Sequence, residues 1–385
     1  MDDFLQPSGH PGALGDKVFP VCSLKDTRKK SMIINHGQHT VQQPAGSDSS
    51  PESSFPGKRL MDMFARSISY LRISLTDHCN LRCQYCSPQE GQIKLANEEL
   101  LSYEEILRVV RIAVSLGIEK VRLTGGEPLV RRDVLTFIKA LAEIPGLTDI
   151  RLTTNGVLLA DYAEALQKAG ISKLNISLDT LRPERFQQIT GVDAFARVWA
   201  GISKARELGF SPIKLNIVAL KEVNDDEFID FARLTLTEPL QIRFIEFMPI
   251  GASALWDKGK YISSQEIMEI ITSLGRLEPV AAKRMDGPAR IYRFAGAVGS
   301  VGFISPISHH FCDRCNRLRL TSEGRLRSCL LSDQETDIKA RLRKGATDAE
   351  IRELIVATIL DKPKGHNISP EGEGNCHGQM SRIGG

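Results

Sequence analysis

Between Tyr70 and Phe247, short apolar stretches rich in β-branched residues alternate with longer ones whose apolar positions recur every third or fourth residue. The first kind reads as buried strand and the second as amphipathic helix. The pattern predicts strands at Tyr70–Leu75, Lys120–Thr124, Asp149–Thr153, Lys173–Leu178, Ile213–Leu220 and Gln241–Phe247. Helices are predicted between them at Tyr103–Ser115, Asp133–Ile144, Asp161–Lys168, Pro183–Ile189, Phe195–Leu208 and Asp225–Leu234. Ser102 and Glu105 have the spacing of a capping box for the first helix. Repeats of about 30 residues imply a parallel sheet with right-handed crossovers. Six such repeats are fewer than a closed barrel needs. The predicted class is therefore α/β, an open, partial (β/α)6 TIM-like barrel, with a doubly wound sheet as the second reading.

Unusual local sequences fall just after strands: Asp77-His78-Cys79, Gly125-Gly126-Glu127-Pro128, Thr154-Asn155-Gly156, Asp179-Thr180 and Met248-Pro249. The carboxyl ends of parallel strands are where barrel active sites assemble. Beyond Gly251 the texture changes. A helix at Ser264–Ser273 is followed by short strands near Arg290–Phe294 and Ser300–Ile304. A hairpin comes next, Asn316–Thr321 and Arg325–Leu330, then helices around Thr336–Arg343 and Asp348–Leu360, the last with Thr347 and Glu350 as a capping box. Residues 1–65 are polar, rich in Gly, Pro and Ser, and without periodicity, which predicts an irregular, disordered extension. The expected division is 1–65 extension, 66–250 barrel and 251–385 C-terminal domain.

Composition narrows the chemistry. A hydrophobic content of 42% over 385 residues is ordinary for a folded protein, and no apolar run is long enough for a membrane span. Fifty basic against 47 acidic side chains, net +3, gives no reason to expect nucleic acid as a partner. The eight cysteines fall mostly in two tight groups and no secretory leader is evident, so a reducing cytoplasm is expected rather than a disulfide framework. Cys22 stands alone and reads as a free thiol.

Cys79, Cys83 and Cys86 follow a C-x3-C-x2-C pattern after the first strand. Three soft thiolates there can hold three corners of a [4Fe–4S] cluster and leave one iron open. A zinc site completed by His78 or a distant residue is the alternative, though adjacent His78 and Cys79 would be awkward in one tetrahedral shell. Cys312, Cys315 and Cys329 form a second group, C-x2-C-x13-C, with Cys376 as an optional fourth ligand and His309 and His310 near. A two-residue step from His310 to Cys312 would strain a shared shell. Arg317 and Arg319 lie two apart on one strand face, suited to phosphate oxygens, and Arg325 and Arg327 repeat the spacing on the partner strand. A solvated basic face is the plainer reading of these four.

The loop Cys79-Asn80-Leu81-Arg82-Cys83-Gln84-Tyr85-Cys86 resembles the cluster loop of radical S-adenosylmethionine (SAM) enzymes, and Gly125-Gly126-Glu127-Pro128 resembles their loop for the SAM amino group. Gly126 would let backbone approach the ligand, and Glu127 would offer an acceptor. With the second group, Cys312-Asp313-Arg314-Cys315-Asn316-Arg317-Leu318-Arg319, and the terminal Gly384-Gly385, the chain from Ser69 onward is similar to the MoaA family, the GTP 3′,8-cyclases of molybdenum cofactor biosynthesis. Ser87-Pro88, where that family usually has Met-Pro, departs from its pattern.

The resemblance implies two [4Fe–4S] clusters, at Cys79, Cys83 and Cys86 and at Cys312, Cys315 and Cys329. It implies SAM contacts at Tyr85, Gly126, Ser177 and Met248. GTP contacts are implied at Arg72, Lys120, Arg122, Thr153, Lys214, Arg243, Arg317, Leu318 and Arg319. The implied reaction is removal of the ribose 3′ hydrogen of GTP by a SAM-derived 5′-deoxyadenosyl radical, giving 3′,8-cyclo-7,8-dihydro-GTP. Implied partners are an electron donor, a downstream cyclic pyranopterin monophosphate synthase and a second copy in a homodimer.

Overall fold

The computed structural model describes residues 60–86, 94–171, 173–251, 257–281, 287–369 and 376–384. The extension up to residue 59 with Cys22, the Ser87-Pro88 pair and Gly385 lie outside the described residues. In the barrel region the elements are β1 (Tyr70–Ser74), α1 (Tyr103–Ser115), β2 (Lys120–Thr124), α2 (Val134–Ala142), β3 (Asp149–Thr154), α3 (Leu159–Lys168), β4 (Lys173–Ser177), α4 (Pro183–Thr190), α5 (Phe195–Glu207), β5 (Ile213–Ala219), α6 (Phe228–Thr237) and β6 (Leu240–Glu246). The rest is α7 (Ser264–Ile271), β7 (Leu277–Val280), β8 (Arg290–Phe294), β9 (Ser300–Ile304), β10 (Arg317–Leu320), β11 (Arg325–Arg327), β12 (Thr336–Asp337), α8 (Ile338–Arg343), α9 (Asp348–Leu360) and α10 (Met380–Ile383). No described helix is long and apolar enough to cross a membrane.

All twelve strands form one sheet in the order β12-β11-β10-β1-β2-β3-β4-β5-β6-β9-β8-β7. The six predicted parallel strands lie side by side in sequence order, as an open barrel requires. The parallel run nevertheless extends beyond six: β10 joins β1 in parallel, and β9 joins β6 in parallel. These two strands come from the C-terminal region and arrive without the strand–helix repeat that marked the others, so the repeat count missed them. The predicted helix start at Thr336 is also revised. Thr336 and Asp337 pair with β11, and α8 begins at Ile338, where the Asp337 carboxylate accepts from the Ala340 N–H. Both predicted capping boxes are present, Ser102 with Glu105 and Thr347 with Glu350.

The parallel strands show why the fold makes a site. Alternate residues point to opposite faces. One set, including Leu71, Ile73, Val121, Leu123, Leu152, Leu174, Ile176, Leu215, Ile242, Phe244, Val301, Phe303, Leu318 and Leu320, is buried in the apolar core. The helices cover that face; α1 buries Ile106, Val109, Val110 and Ala113 in the same core. Each fully buried aliphatic side chain there contributes about 1.5–3 kcal/mol. The other set is polar and faces the inside of the barrel.

Candidate functional site

Register sorts the inward residues into tiers. Tyr70 is level with Lys120 and Arg317, Arg72 with Arg122 and Arg319, and Arg122 with Arg151. Toward the carboxyl ends Ser177 is level with Asn216, and Asn216 with Arg243. Charge so deep in a sheet is costly unless partnered or screened. The structure answers this partly within itself. Arg122 Nε donates to the Tyr70 hydroxyl at 2.5 Å, and the Lys120 ammonium sits 4.0 Å from the centre of the Tyr70 ring. Burial would raise the Tyr70 pKa, but Arg122, Arg72 and Lys120 outweigh it and bring the phenol down to about 7. Lys120 falls to about 8 through burial, despite Tyr70.

Two cysteine-lined cavities open on this interior. The first is lined by Cys79, Cys83, Tyr85, Cys86, Gly126, Thr153, Ser177 and Met248, among others. Its loop is held by named bonds. Cys79 Sγ accepts from Leu81 N at 3.4 Å and from Asn155 Nδ2 at 3.6 Å, and Tyr85 donates its hydroxyl to Asp179 Oδ2 at 2.5 Å. Burial raises the thiols, Cys83 well above the ordinary range and Cys86 up to about 12. His78 does not join them: its Nε2 lies 3.2 Å from the Leu95 carbonyl.

The glycine-rich turn lines the first cavity and also has a structural part. A Cβ on Gly126 would lie 2.2 Å from the His78 carbonyl oxygen, so the close approach that needs glycine is to the backbone leading into Cys79. Glu127 is fully buried and its carboxylate is already occupied. It accepts from Leu129 N at 3.1 Å, Thr154 Oγ1 at 2.8 Å and Asn155 N at 2.7 Å. It therefore ties the ends of β2 and β3 together rather than facing a ligand.

The second cavity is lined by Cys312, Cys315 and Cys329 together with Arg72, Lys120, Arg122, Arg151, Arg243, Arg317 and Arg319. Burial would raise Cys315, but Arg317 and Lys362 pull it down to about 6. Lys362 is buried and bonds the carbonyls of Arg317 (3.0 Å) and Ser328, fastening the two strands that flank the thiols. Arg66 fastens the Cys312 loop from outside. It pairs with Asp62 at 2.5 Å and donates to the carbonyls of Cys312 (2.7 Å), Pro363 (2.7 Å) and Lys364 (3.0 Å). Ligand atoms of His310, Cys312 and His366 lie within 4.8 Å of one another, so the short step from His310 to Cys312 is accommodated after all. Cys376 is not part of this group. Its thiol lies 3.2 Å from Arg327 Nη2 and 3.3 Å from Asp333 Oδ1.

The cavities share Ile245 and Met248 in their walls. Of the nucleotide-contact residues expected from sequence, Arg72, Lys120, Arg122, Arg243, Arg317 and Arg319 line the second cavity. Thr153 lines the first and accepts from Arg122 Nη1 at 3.2 Å, so it stands between the two. Lys214 is buried on the polar face but is not among the lining residues. Leu318 is corrected: its side chain is in the apolar core, on the far face from Arg317 and Arg319. Arg325 and Arg327 are taken up by Glu323, Asp333 and Glu335 and face no cavity thiol. The tail is tied in, with Ser74 Oγ donating to the Ser381 carbonyl at 3.2 Å and Arg319 Nη1 to that of Gly384 at 2.6 Å.

Tyr70, Arg151, Asn175, Asn216, Lys362 and His366 were missed. The first four stand two positions from a residue that was named, on the same strand face, and strand period alone would have found them. Lys362 and His366 come from the segment after α9, and no local pattern marks them.

The donor sets fit iron–sulfur clusters: three thiols converge on each cavity, and among the described residues no fourth cysteine joins either set. Comparison with known proteins agrees. Residues 73–235 match the Radical SAM superfamily, and residues 240–368 match the family described as Molybdenum Cofactor Synthesis C. The GTP 3′,8-cyclase of Pelotomaculum thermopropionicum is 49% identical over 327 residues, 85% of this chain and 100% of that protein. That of Thermodesulfovibrio yellowstonii is 52% identical over 308 residues, 80% of this chain and 95% of its own length. The crystal structure of Streptococcus suis SuiB bound to S-adenosylmethionine has a TM-score of 0.53 at 15% identity, covering 79% of this chain and 76% of SuiB. At that identity the likeness speaks for the fold alone. Matched along nearly the whole length of such relatives, the chain belongs to the GTP 3′,8-cyclase family of radical SAM proteins.

Proposed function

We propose that this protein is a GTP 3′,8-cyclase, converting GTP to 3′,8-cyclo-7,8-dihydro-GTP in the first step of molybdenum cofactor biosynthesis. The observation that carries the reading is the pair of three-thiol cavities that meet at Ile245 and Met248, only one of them lined with cations. The cofactors are two [4Fe–4S] clusters and S-adenosylmethionine.

We assign Cys79, Cys83 and Cys86 to the first cluster and Tyr85, Gly126, Ser177 and Met248 to the S-adenosylmethionine site. Cys312, Cys315 and Cys329 are assigned to the second cluster. Together, these groups supply the one-electron chemistry that activates the ribose 3′ C–H bond. The chain's own part is to bind, orient and enclose. Arg72, Lys120, Arg122, Arg243, Arg317 and Arg319 bind the triphosphate, with Thr153 and Lys214 at its margins. Guanidinium forks match phosphate oxygens two at a time. A polyanion would relieve the mutual repulsion that pushes Arg319 well below its ordinary pKa, an effect of burial and of neighbouring Arg72 and Arg317. The same enclosure keeps water from the reacting carbon. We also assign residues 66–250 to the radical step, 251–385 to the second cluster and 1–65 to an extension. A cytoplasmic location, an external electron donor, a downstream cyclic pyranopterin monophosphate synthase and a homodimer complete the proposal.

Anaerobic turnover of the reconstituted protein with S-adenosylmethionine, dithionite and GTP tests it. The expected result is GTP-dependent 5′-deoxyadenosine with a new nucleotide isobaric to GTP. Cleavage indifferent to GTP would overturn the substrate, and no cleavage with both clusters loaded would overturn the reaction.

A further inference from the structure

The cations of the second cavity can only donate hydrogen bonds. A nucleotide brings acceptors in its phosphates, but it also brings hydroxyl donors on its sugar, and these need acceptors. Two side-chain amides supply them on the far wall. Asn175 on β4 and Asn216 on β5 lie on the polar face, and both line the second cavity. Asn175 is 6% exposed. The Oδ1 atoms of both residues are buried and have no hydrogen-bond partner among the described residues. Leaving a buried acceptor unpaired is unfavourable, so an orphaned acceptor on a cavity wall marks a place for a donor from outside the chain.

Their position along the strands says which part of a ligand they meet. Two residues further on, Ser177 and Val218 line the first cavity instead. Ser177 is level with Asn216, and Asn216 with Arg243, whose next inward neighbour Ile245 belongs to both cavities. Asn216 thus shares with Arg243 the last polar tier of the second cavity on this wall, and Asn175 stands one tier behind. Arg151 on β3 and Arg243 on β6 flank the amides singly, whereas five cations, Arg72, Lys120, Arg122, Arg317 and Arg319, cluster on β10, β1 and β2, two or more strands away in the sheet. Phosphates drawn to those cations leave the sugar as the part of the nucleotide that reaches the junction, which is also where its C–H bond must lie.

We infer that Asn175 and Asn216 are the sugar-reading residues of the substrate cavity, their amide oxygens accepting from the ribose hydroxyls and selecting ribo- over deoxyribonucleotide. The inference rests on the cyclase reading of the cavity. It adds a specificity role for two residues that the cysteine and arginine patterns do not touch.

The test is equilibrium binding of GTP, 2′-deoxyGTP and 3′-deoxyGTP to the anaerobic, cluster-loaded protein, comparing wild type with Asn175→Leu and Asn216→Leu. Leucine keeps the shape and removes the acceptor. Wild type is expected to favour GTP over at least one deoxy analogue by about tenfold to a hundredfold. In the variants GTP affinity should fall by that factor while the analogue it outcompeted changes less than about threefold, so the preference collapses. Both preferences unchanged, or GTP and both analogues weakened in parallel, would overturn the assignment. If a leucine variant loses iron, Asn175→Ala and Asn216→Ala take its place, with the same ratio as the readout. Wild-type turnover with GTP is run alongside. Product from wild type with unchanged ratios sinks the asparagine assignment alone, whereas no GTP-dependent cleavage sinks the cyclase reading beneath it.

Discussion

The two cysteine cavities share a donor set and differ in everything around it. In the first, the buried ionisable neighbours are acids. Burial raises Asp179 to about 6 even though the Tyr85 hydroxyl and the Val218 N–H stabilise its carboxylate. Burial likewise brings Glu127 to about 7 and raises the thiols. In the second the neighbours are bases, and Cys315 is brought down to about 6 by Arg317 and Lys362 against the pull of burial. A thiol ligand takes its character from what is packed beside it. The acids stand behind the wall of the first cavity, occupied by protein donors, whereas the bases line the second directly and suit a triphosphate. Cluster chemistry is common to both sites; ligand choice is written in the second layer of residues.

The strongest way to break the comparison is to remove one thiol from each side. Cys86→Ala is expected to abolish S-adenosylmethionine cleavage, by roughly four orders of magnitude or more, and to leave about half the iron in place. Cys315→Ala should also stop product formation while some S-adenosylmethionine cleavage persists. Iron analysis and 5′-deoxyadenosine yield on the two variants decide it. Equal loss of cleavage in both would show that the cavities do not act separately.

Arg66 offers a subtler separation, because it anchors only the second loop. Arg66→Ala leaves the Asp62 carboxylate, 6% exposed, without its ion pair and frees three carbonyls. Breaking such a pair costs about 3–5 kcal/mol. The expected outcome is earlier thermal unfolding and preferential loss of second-cluster iron to a chelator, with the first cluster's spectroscopic signal retained. Uniform loss of both clusters would mean that Arg66 supports the fold and not the loop.

The reach of the sequence can be judged on these same residues. The six barrel repeats, both thiol sets and the row of strand arginines were legible because each is a local pattern: a period, a spacing, an alternation. What was not legible is long-range. Nothing near Arg317 announces that β10 lies beside β1, and nothing near Arg66 announces the Cys312 carbonyl 246 residues away. Leu318 came in only with the family resemblance, between Arg317 and Arg319, whereas strand geometry turns it to the core. Glu127 shows the opposite error. Its chemistry suggested a ligand contact, but the Thr154 hydroxyl at the end of β3 and the Asn155 N–H just beyond it reached it first.

Glu127 gives the pH test of the first cavity. Burial raises its pKa from 4.5 to about 7, although Asn155 N, Leu129 N and Thr154 Oγ1 all favour the carboxylate. The folded carboxyl therefore keeps its proton to higher pH than the unfolded one. Between pH 4.5 and 7 the folded state holds more protons at this site, so this contribution to stability falls as pH rises, by about 3 kcal/mol across the window. In Glu127→Gln that contribution is gone. The stability advantage of wild type over the variant should shrink from pH 4.5 towards 7, measured by denaturant unfolding of the metal-free chain. A constant difference would place the Glu127 pKa near its ordinary value.

The smallest expected effect concerns Arg319, and it separates binding from stability within the second cavity. The side chain is buried, its Nη1 donates to the Gly384 carbonyl at 2.6 Å, and burial with Arg72 and Arg317 pushes its pKa well down. A depressed arginine pKa means that its charge is carried at a cost in the empty protein. Arg319→Ala removes that cost together with one hydrogen bond, so thermal stability without nucleotide should hold or rise slightly. Affinity for GTP should fall about tenfold to a hundredfold, the value of a charge-assisted bond. The wild-type affinity should also fall more steeply with added salt than the variant's, since one fewer cation faces the phosphates. Iron content and S-adenosylmethionine binding should not change, because no contact of Arg319 reaches the first cavity. Unchanged GTP affinity would remove Arg319 from the triphosphate site. A large loss of stability would show that its bond to the tail outweighs the repulsion, and the basic wall would then be a structural device before it is a binding one.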